Sequence, residues 1–337
     1  MKYDVITFGS ATQDIYLKSK NFLPLTDKRS KVGKSICLPA GSKMKVDDIA
    51  FSSGGGGSNA AATFASLGLK VAYCGMVGGD YFGDLIVKEL KKFRIDTSLI
   101  KRTTERVSNI SLILSYPDGE KTILVYRGAA DLMRFKNIPI SQVKNAKWFY
   151  LAPFAEDMAY LTEELVDFAR KNNVKVAMNP GYNQLSLPRK VLERILAKVD
   201  ILILNQEEAS LLTKISYAKE RAIFKELDRL VHGICIMTKG EKGVVVSDGQ
   251  FLYRAPAIKI KLVDSTGAGD SFNSGFLSGY IKSGRIEEAI RLGVANSASC
   301  LLQLGAKQGL LKKGQELPKI KISKEPCLKN NLCQIKN

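Results

Sequence analysis

From about residue 146 onward, short apolar runs and amphipathic stretches alternate with little interruption. Strand-like Trp148–Leu151, Val174–Asn179, Ile201–Leu204 and Ile234–Thr238 are separated by helical patterns at Ala159–Asn172, Pro188–Val199, Gln206–Thr213 and Lys219–Leu230. Strands joined through such helices run parallel, and a parallel sheet needs helices over both faces. A hairpin pattern (Val244–Ser247, Phe251–Arg254) and two further helices, Asp270–Ser283 and Ile286–Leu304, complete this half. The expected fold class is α/β, a three-layer αβα arrangement around a mostly parallel central sheet.

The N-terminal half fits the same sheet less regularly. Tyr3–Gly9 and Lys70–Gly75 read as buried strands, Asn59–Leu67 as an Ala-rich helix stopped by Gly68, and Tyr81–Phe93 as an amphipathic helix. Residues 17–50 are polar and basic, while 107–116 and 121–126 are strand-like around Pro117-Asp118-Gly119, a hairpin signal. Neither stretch carries interleaved helices, so the two are expected to form a small separate β-sheet inserted in two pieces. The expected division is a core of residues 1–16, 52–106 and 127–318, an inserted sheet of 17–51 and 107–126, and a basic, frayed tail of 319–337.

Composition removes several function classes. No apolar run approaches the ~18 residues of a spanning helix, and no signal-peptide pattern opens the chain, so a cytoplasmic protein without membrane contact is expected. Six scattered cysteines with no CxxC pair and a single histidine, His232, leave no material for zinc ribbons or His-based triads. The cysteines read as mostly buried free thiols in a reducing compartment. The net charge of +18 attracts polyanions. The basic residues are not interleaved with aromatics, which makes a nucleic-acid partner the weaker reading.

Two loops carry chemistry. In Asp264-Ser265-Thr266-Gly267-Ala268-Gly269-Asp270, small residues lead into a helix expected near Asp270. The first amides of that helix and its positive dipole end suit a transferring phosphoryl group, and Asp270 is placed to accept a proton from an attacking hydroxyl. The plain alternative is an N-cap aspartate after a glycine turn. The second loop, Gly54-Gly55-Gly56-Gly57 ahead of Asn59, costs too much backbone entropy for a mere linker, although a flexible hinge is the competing reading. Gly33-Lys34-Ser35 resembles the end of a P-loop but lacks the upstream glycine and strand.

Taken together, the two loops resemble the signatures of the ribokinase-like (PfkB) carbohydrate kinase family, over roughly residues 3–312. The resemblance implies an ATP- and Mg²⁺-dependent phosphotransferase with an alcohol acceptor. Asp270 is then the general base and the amides of Gly267, Ala268, Gly269 and Asp270 the anion hole. Asp14, Gly54, Gly55 and Asn59 match residues that bind the acceptor, Asp14 lying just past the end of the first strand. Asn205 and Glu208 match an Asn-x-x-Glu motif near the ATP phosphates, with Glu208 holding Mg²⁺ through water. Thr238, Gly240 and Gly243 resemble the nucleotide loop, and Asn296 borders the adenine. The carbonyls of Asp264 and Thr266 resemble part of a monovalent-cation (K⁺) site. The inserted sheet becomes a lid that closes over the acceptor and is a candidate homodimer surface.

The acceptor is read from departures. Thr12 and Ala152 stand where ribokinase proper has polar residues, which puts free ribose in doubt. A sugar hydroxymethyl group is the expected acceptor. A nucleoside held by aromatics such as Phe22, Phe51, Tyr126 or Phe154 is the alternative, and a phosphosugar facing Arg127 a third option. From another class, a basic nucleic-acid-binding protein on a kinase fold is the competing reading.

Overall fold

A computed structural model describes residues 2–30, 33–116 and 121–327. Its centre is a nine-stranded sheet in the spatial order Ser323–Pro326, Phe251–Ala255, Val244–Ser247, Ile234–Thr238, Ile201–Asn205, Lys175–Met178, Ala146–Leu151, Tyr3–Phe8, Val71–Cys74. The six strands from Ile234–Thr238 to Val71–Cys74 pair in parallel, and the other three are antiparallel. Successive side chains alternate between the two faces. Phe8, Phe149, Met178 and Leu204 join one buried cluster with Leu165 and Phe224, and Val5, Tyr150 and Ile203 join the other with Phe64 and Phe276. Burial on both faces explains why these strands read as unbroken apolar runs.

A second, four-stranded sheet has the order Lys121–Tyr126, Asn109–Ser115, Thr12–Lys18, Asp48–Gly54. The strand Thr12–Lys18 belongs to it from its first residue, pairing Thr12 with Gly54 and with Asn109. Asp14 therefore sits within a lid strand rather than in a loop after the first core strand. The hairpin turn expected at Pro117-Asp118-Gly119 lies outside the described residues, though Lys121 and Ser115 pair antiparallel on either side of it. The P-loop look-alike leads into the strand Lys34–Ile36, which among the described residues pairs with Pro24–Thr26.

The register sorts the lid's two faces. Asp14, Ser52, Ser111 and Val125 share one face with Tyr16, Ile113 and Ile123. The other face carries Ile15, Leu17, Ile49, Phe51, Leu112, Leu124 and Tyr126. On this second face Phe51 is 61% and Leu124 50% exposed, so much of it is apolar and uncovered.

Two expectations need correction. Residues 323–326 do not fray: they pair with Phe251–Arg254, and Glu325 binds Arg254 at 2.7 Å and Arg221 at 3.3 Å. The helix expected to run to Leu304 ends at Cys300. There the chain turns so that the Leu301 carbonyl meets the amides of Val263 and Asp264 while the Gly305 amide reaches the Asp264 carboxylate. No helix among the described residues is long and apolar enough to cross a membrane.

Candidate active site

The helix after the loop Asp264–Gly267 runs from Ala268 to Ser283 and starts on Gly267, whose φ of +79° suits glycine. A Cβ at Gly267 would also come within 2.4 Å of the Ala306 Cβ. Asp270 is consequently not the N-cap. It occupies the third helical position, where a carboxylate favours the dipole. The amides of Gly269 and Asp270 have no carbonyl a turn behind them in the helix, and the space in front of Gly269 is open. The Ala268 amide leans 3.4 Å toward the Ser265 carbonyl.

The glycine run closes onto this loop. The helix Gly56–Ser66 begins after Gly55 and carries Asn59, whose Nδ2 donates to Asp270 Oδ2 at 2.8 Å. Asn59 Oδ1 is buried and has no partner among the described residues. A Cβ at Gly54 would fall 2.0 Å from Asp14 Oδ2, and one at Gly56 3.5 Å from Asp270 Oδ1. Both aspartates thus flank the same stretch of glycine backbone, which is packed too closely to serve as a free hinge.

Electrostatics follow from burial. Burial pushes the Asp14 carboxyl up to about 6. The Ser111 hydroxyl and the Lys307 ammonium draw it down, while Glu89 and Asp264 push it further up. Burial also raises Asp270, against the pull of Asn59 and Lys307. Asp264 behaves differently. Burial would raise it, but the Lys121 ammonium and the amides of Thr266 and Gly305 hold it below the usual carboxylate range. Lys121 comes from a lid strand and binds Asp264 Oδ1 at 2.5 Å, which ties lid to loop. That carboxylate also takes the Thr266 amide at 2.9 Å and hydroxyl at 2.8 Å. The charge of Asp264 is therefore already balanced, and the structure adds nothing to the expected monovalent-cation role of Asp264 and Thr266.

Asn205 caps the helix Gln206–Thr213. Asn205 Oδ1 accepts from the Glu208 amide and Glu208 Oε2 from the Asn205 amide, both at 2.8 Å. This reciprocal box gives the Asn-x-x-Glu spacing a structural reason of its own. It leaves Asn205 Nδ2 and Glu208 Oε1 outside the pair, and burial raises the Glu208 carboxyl. Tyr150, buried in the sheet, feels the charges of both Asp270 and Glu208, which join burial in raising its hydroxyl.

Thr238 ends its strand, and Gly240 and Gly243 follow with φ of +56° and +89°. A cavity of about 320 Å³ beside this loop is lined by Lys239, Lys242, Arg254 and Lys321. Asn296 is fully buried and engaged at both ends, donating to the Ser271 carbonyl and accepting from the Leu311 amide. It braces the helix Ala268–Ser283 through the Ser271 carbonyl.

The aromatics considered for holding a base do not gather at the cleft. Phe22 packs with Leu114 and Tyr116, Phe154 lies in the main core, and Phe51 and Tyr126 occupy the outer lid face. Arg127 is exposed just past a lid strand. One site residue and one contact escaped the sequence reading. Lys307 left no signal, and the bond from Asn59 to Asp270 spans 211 residues.

With this geometry in view, the description "pfkB family carbohydrate kinase" matches residues 3–313. The chain belongs to the PfkB carbohydrate kinase family. It is 29% identical over 262 residues to the ribokinase of Haemophilus influenzae, covering 76% of this chain and 83% of that protein. It is 30% identical over 277 residues to the cytidine kinase of Thermococcus kodakarensis, covering 78% and 95%. The structure of Arabidopsis thaliana ribokinase complexed with ribose and ATP superposes with a TM-score of 0.77 at 22% identity, covering 93% of this chain and 96% of that one, and confirms the fold. As a PfkB kinase the protein is a phosphotransferase that uses ATP and an alcohol acceptor on a sugar or nucleoside.

Proposed function

We propose that this kinase phosphorylates the hydroxymethyl group of a sugar, with Asp270 as general base. The observation that carries the reading is the convergence of Asp14, Asn59 and Asp270 on the glycine run, with Asn59 Oδ1 buried and unpartnered among the described residues. A buried acceptor atom of this kind calls for a donor from a ligand, and a sugar supplies several hydroxyls. Asp14 holds acceptor hydroxyls and Gly54 and Gly55 let them approach the backbone. Asp270 takes the proton of the attacking hydroxyl, and the amides of Gly267 to Asp270 receive the phosphoryl oxygens.

ATP lies on the side of Asn205, Thr238, Gly240 and Gly243. The free Glu208 oxygen fits a hydrated Mg²⁺, since that ion keeps several waters and takes one or two carboxylates. Among the described residues no three His, Cys, Asp or Glu side chains gather into a metal cage. Bound Mg²⁺ would neutralise phosphate charge. The free thiols at Cys37, Cys74, Cys235 and Cys300 suit a reducing, cytoplasmic setting.

A nucleoside acceptor is the second reading. It is favoured by the half-exposed Ile123 and Val125 on the inner lid face, which offer an apolar wall for a base, and by the cytidine kinase relative. The test is ADP release from ATP and Mg²⁺ against sugars, phosphosugars and nucleosides, with Asp270→Asn as blank. A preferred sugar supports the first reading and a preferred nucleoside replaces it. No turnover, with salt-sensitive duplex DNA binding, would overturn both.

A further inference from the structure

The segment after the helix Ile286–Cys300 runs along the loop Asp264–Gly267. The Gly305 amide binds Asp264 at 2.9 Å, Ala306 packs under Gly267, and Lys307 comes next. The Lys307 side chain is fully buried, yet among the described residues its ammonium has only a short contact to the Ser53 hydroxyl and a long one, 3.9 Å, to Glu89 Oε1. Glu89 Oε1 has no hydrogen-bond partner among the described residues. An ammonium has three donors, and burying it so thinly satisfied is costly unless its charge is needed.

Glu89 lies 3.9 Å from that charge, and the charges of Asp14 and Asp270, on two other elements, also act on it. Glu89 comes from the helix Tyr81–Lys92, Asp14 from the lid strand Thr12–Lys18 and Asp270 from the helix Ala268–Ser283. Asp14 also feels Asp264 and the Ser111 hydroxyl, while Asp270 feels Asn59. We propose that Lys307 is a positioning residue of the transfer site, its buried ammonium keeping Asp14 and Asp270 charged and available in a cleft that would otherwise neutralise them. The inference rests on the kinase reading of the site. Burial lowers the Lys307 ammonium to about 8, with Glu89, Asp14 and Asp270 pulling it back up, so it remains mostly charged at neutral pH. Its field on Asp14 and Asp270 is downward, opposing burial.

The experiment labels the aspartate carboxyl carbons of the full chain with ¹³C and titrates them by NMR. Asp14→Asn and Asp270→Asn assign the two signals. Alongside, the pH profile of kcat/KM is measured with the best acceptor of the panel. In Lys307→Met both carboxylates should titrate higher, by about one pH unit, and the acid limb of kcat/KM should move the same way. Lys307→Arg, which keeps the charge, should restore both. Glu89→Gln should move Asp14 in the opposite direction, downward, because Glu89 pushes it up.

Unmoved titrations in a folded Lys307→Met protein would overturn the proposal, even if turnover or melting temperature fell, since that pattern marks a packing role. Should Lys307→Met not fold, Glu89→Gln decides: an Asp14 signal that stays or rises overturns it. Wild-type protein that turns over no acceptor would defeat the kinase reading separately, because the carboxylate titrations need no acceptor.

Discussion

Burial raises both the Asp270 and the Asp14 carboxyl, but in the proposed reaction they are asked for different things. Asp270 must accept a proton once per turnover, so Asp270→Asn should lower kcat by ~10²–10⁴-fold. It should leave nucleotide affinity intact, because an amide oxygen can still accept from Asn59. Steady-state kinetics beside a nucleotide titration checks this. Asp14 must stay charged to accept from substrate hydroxyls. With its carboxyl at about 6, the acceptor KM should rise as pH falls through that value, and Asp14→Asn should abolish this limb. The stability linkage has the opposite sense. A carboxyl raised in the folded state stabilises it while protonated, and that contribution is lost as pH rises from the ordinary range near 4 through about 6. Residue types at these positions were legible in the sequence, since small residues before a helix with an aspartate in its first turn already imply anion chemistry. Their partners were not legible. The Asn59 bond and the Lys307 field join residues brought together only by the folding of separate elements.

The elements of the parallel sheet could be read because each is apolar on both faces and separated from the next by an amphipathic helix. The helix Gln206–Thr213 and the strand Ile234–Thr238 fall where the sequence places them. The strand Thr12–Lys18 escaped because it alternates Asp14 and Tyr16 with Ile15 and Leu17, a pattern that belongs to a sheet with one face on a cleft and not to the main sheet. Its partner strand Asp48–Gly54 ends in the glycine that makes room for Asp14. Gly54→Ala sets a methyl group where the Asp14 carboxylate now lies, so the carboxylate must swing away. The acceptor KM should rise at least ~10-fold, and overpacking should cost about 1–3 kcal/mol of stability. Nucleotide binding should be spared, because the loop from Thr238 to Gly243 is on other strands. Acceptor and nucleotide titrations of one folded variant separate the two; equal weakening of both would mean the glycine run serves the whole fold.

At the scale of the molecule, one face of the lid sheet leaves Ile49, Phe51, Leu124 and Tyr126 about half open to water. An apolar patch of this kind on a folded protein marks an interaction surface, and we propose that a second copy's lid covers it. The net charge of +18 sets a condition on that pairing. Two such chains repel each other over long range, and salt shortens the repulsion to about 8 Å at physiological ionic strength. Association through the apolar face should therefore strengthen as salt is added. Binding to nucleic acid, the other use of a basic surface, should weaken instead as counterion release loses its advantage. Sedimentation at rising salt reads both at once. The expected result is a growing dimer fraction, reduced to monomer in Phe51→Asp and Leu124→Asp. Neither substitution touches Asp14 or Asp270, so both variants should keep turning over the acceptor as monomers if the lid closes within one chain. A parallel loss of turnover would mean that the partner's lid helps to seal the site. A monomer at every salt concentration would instead leave the outer face uncovered by a second copy.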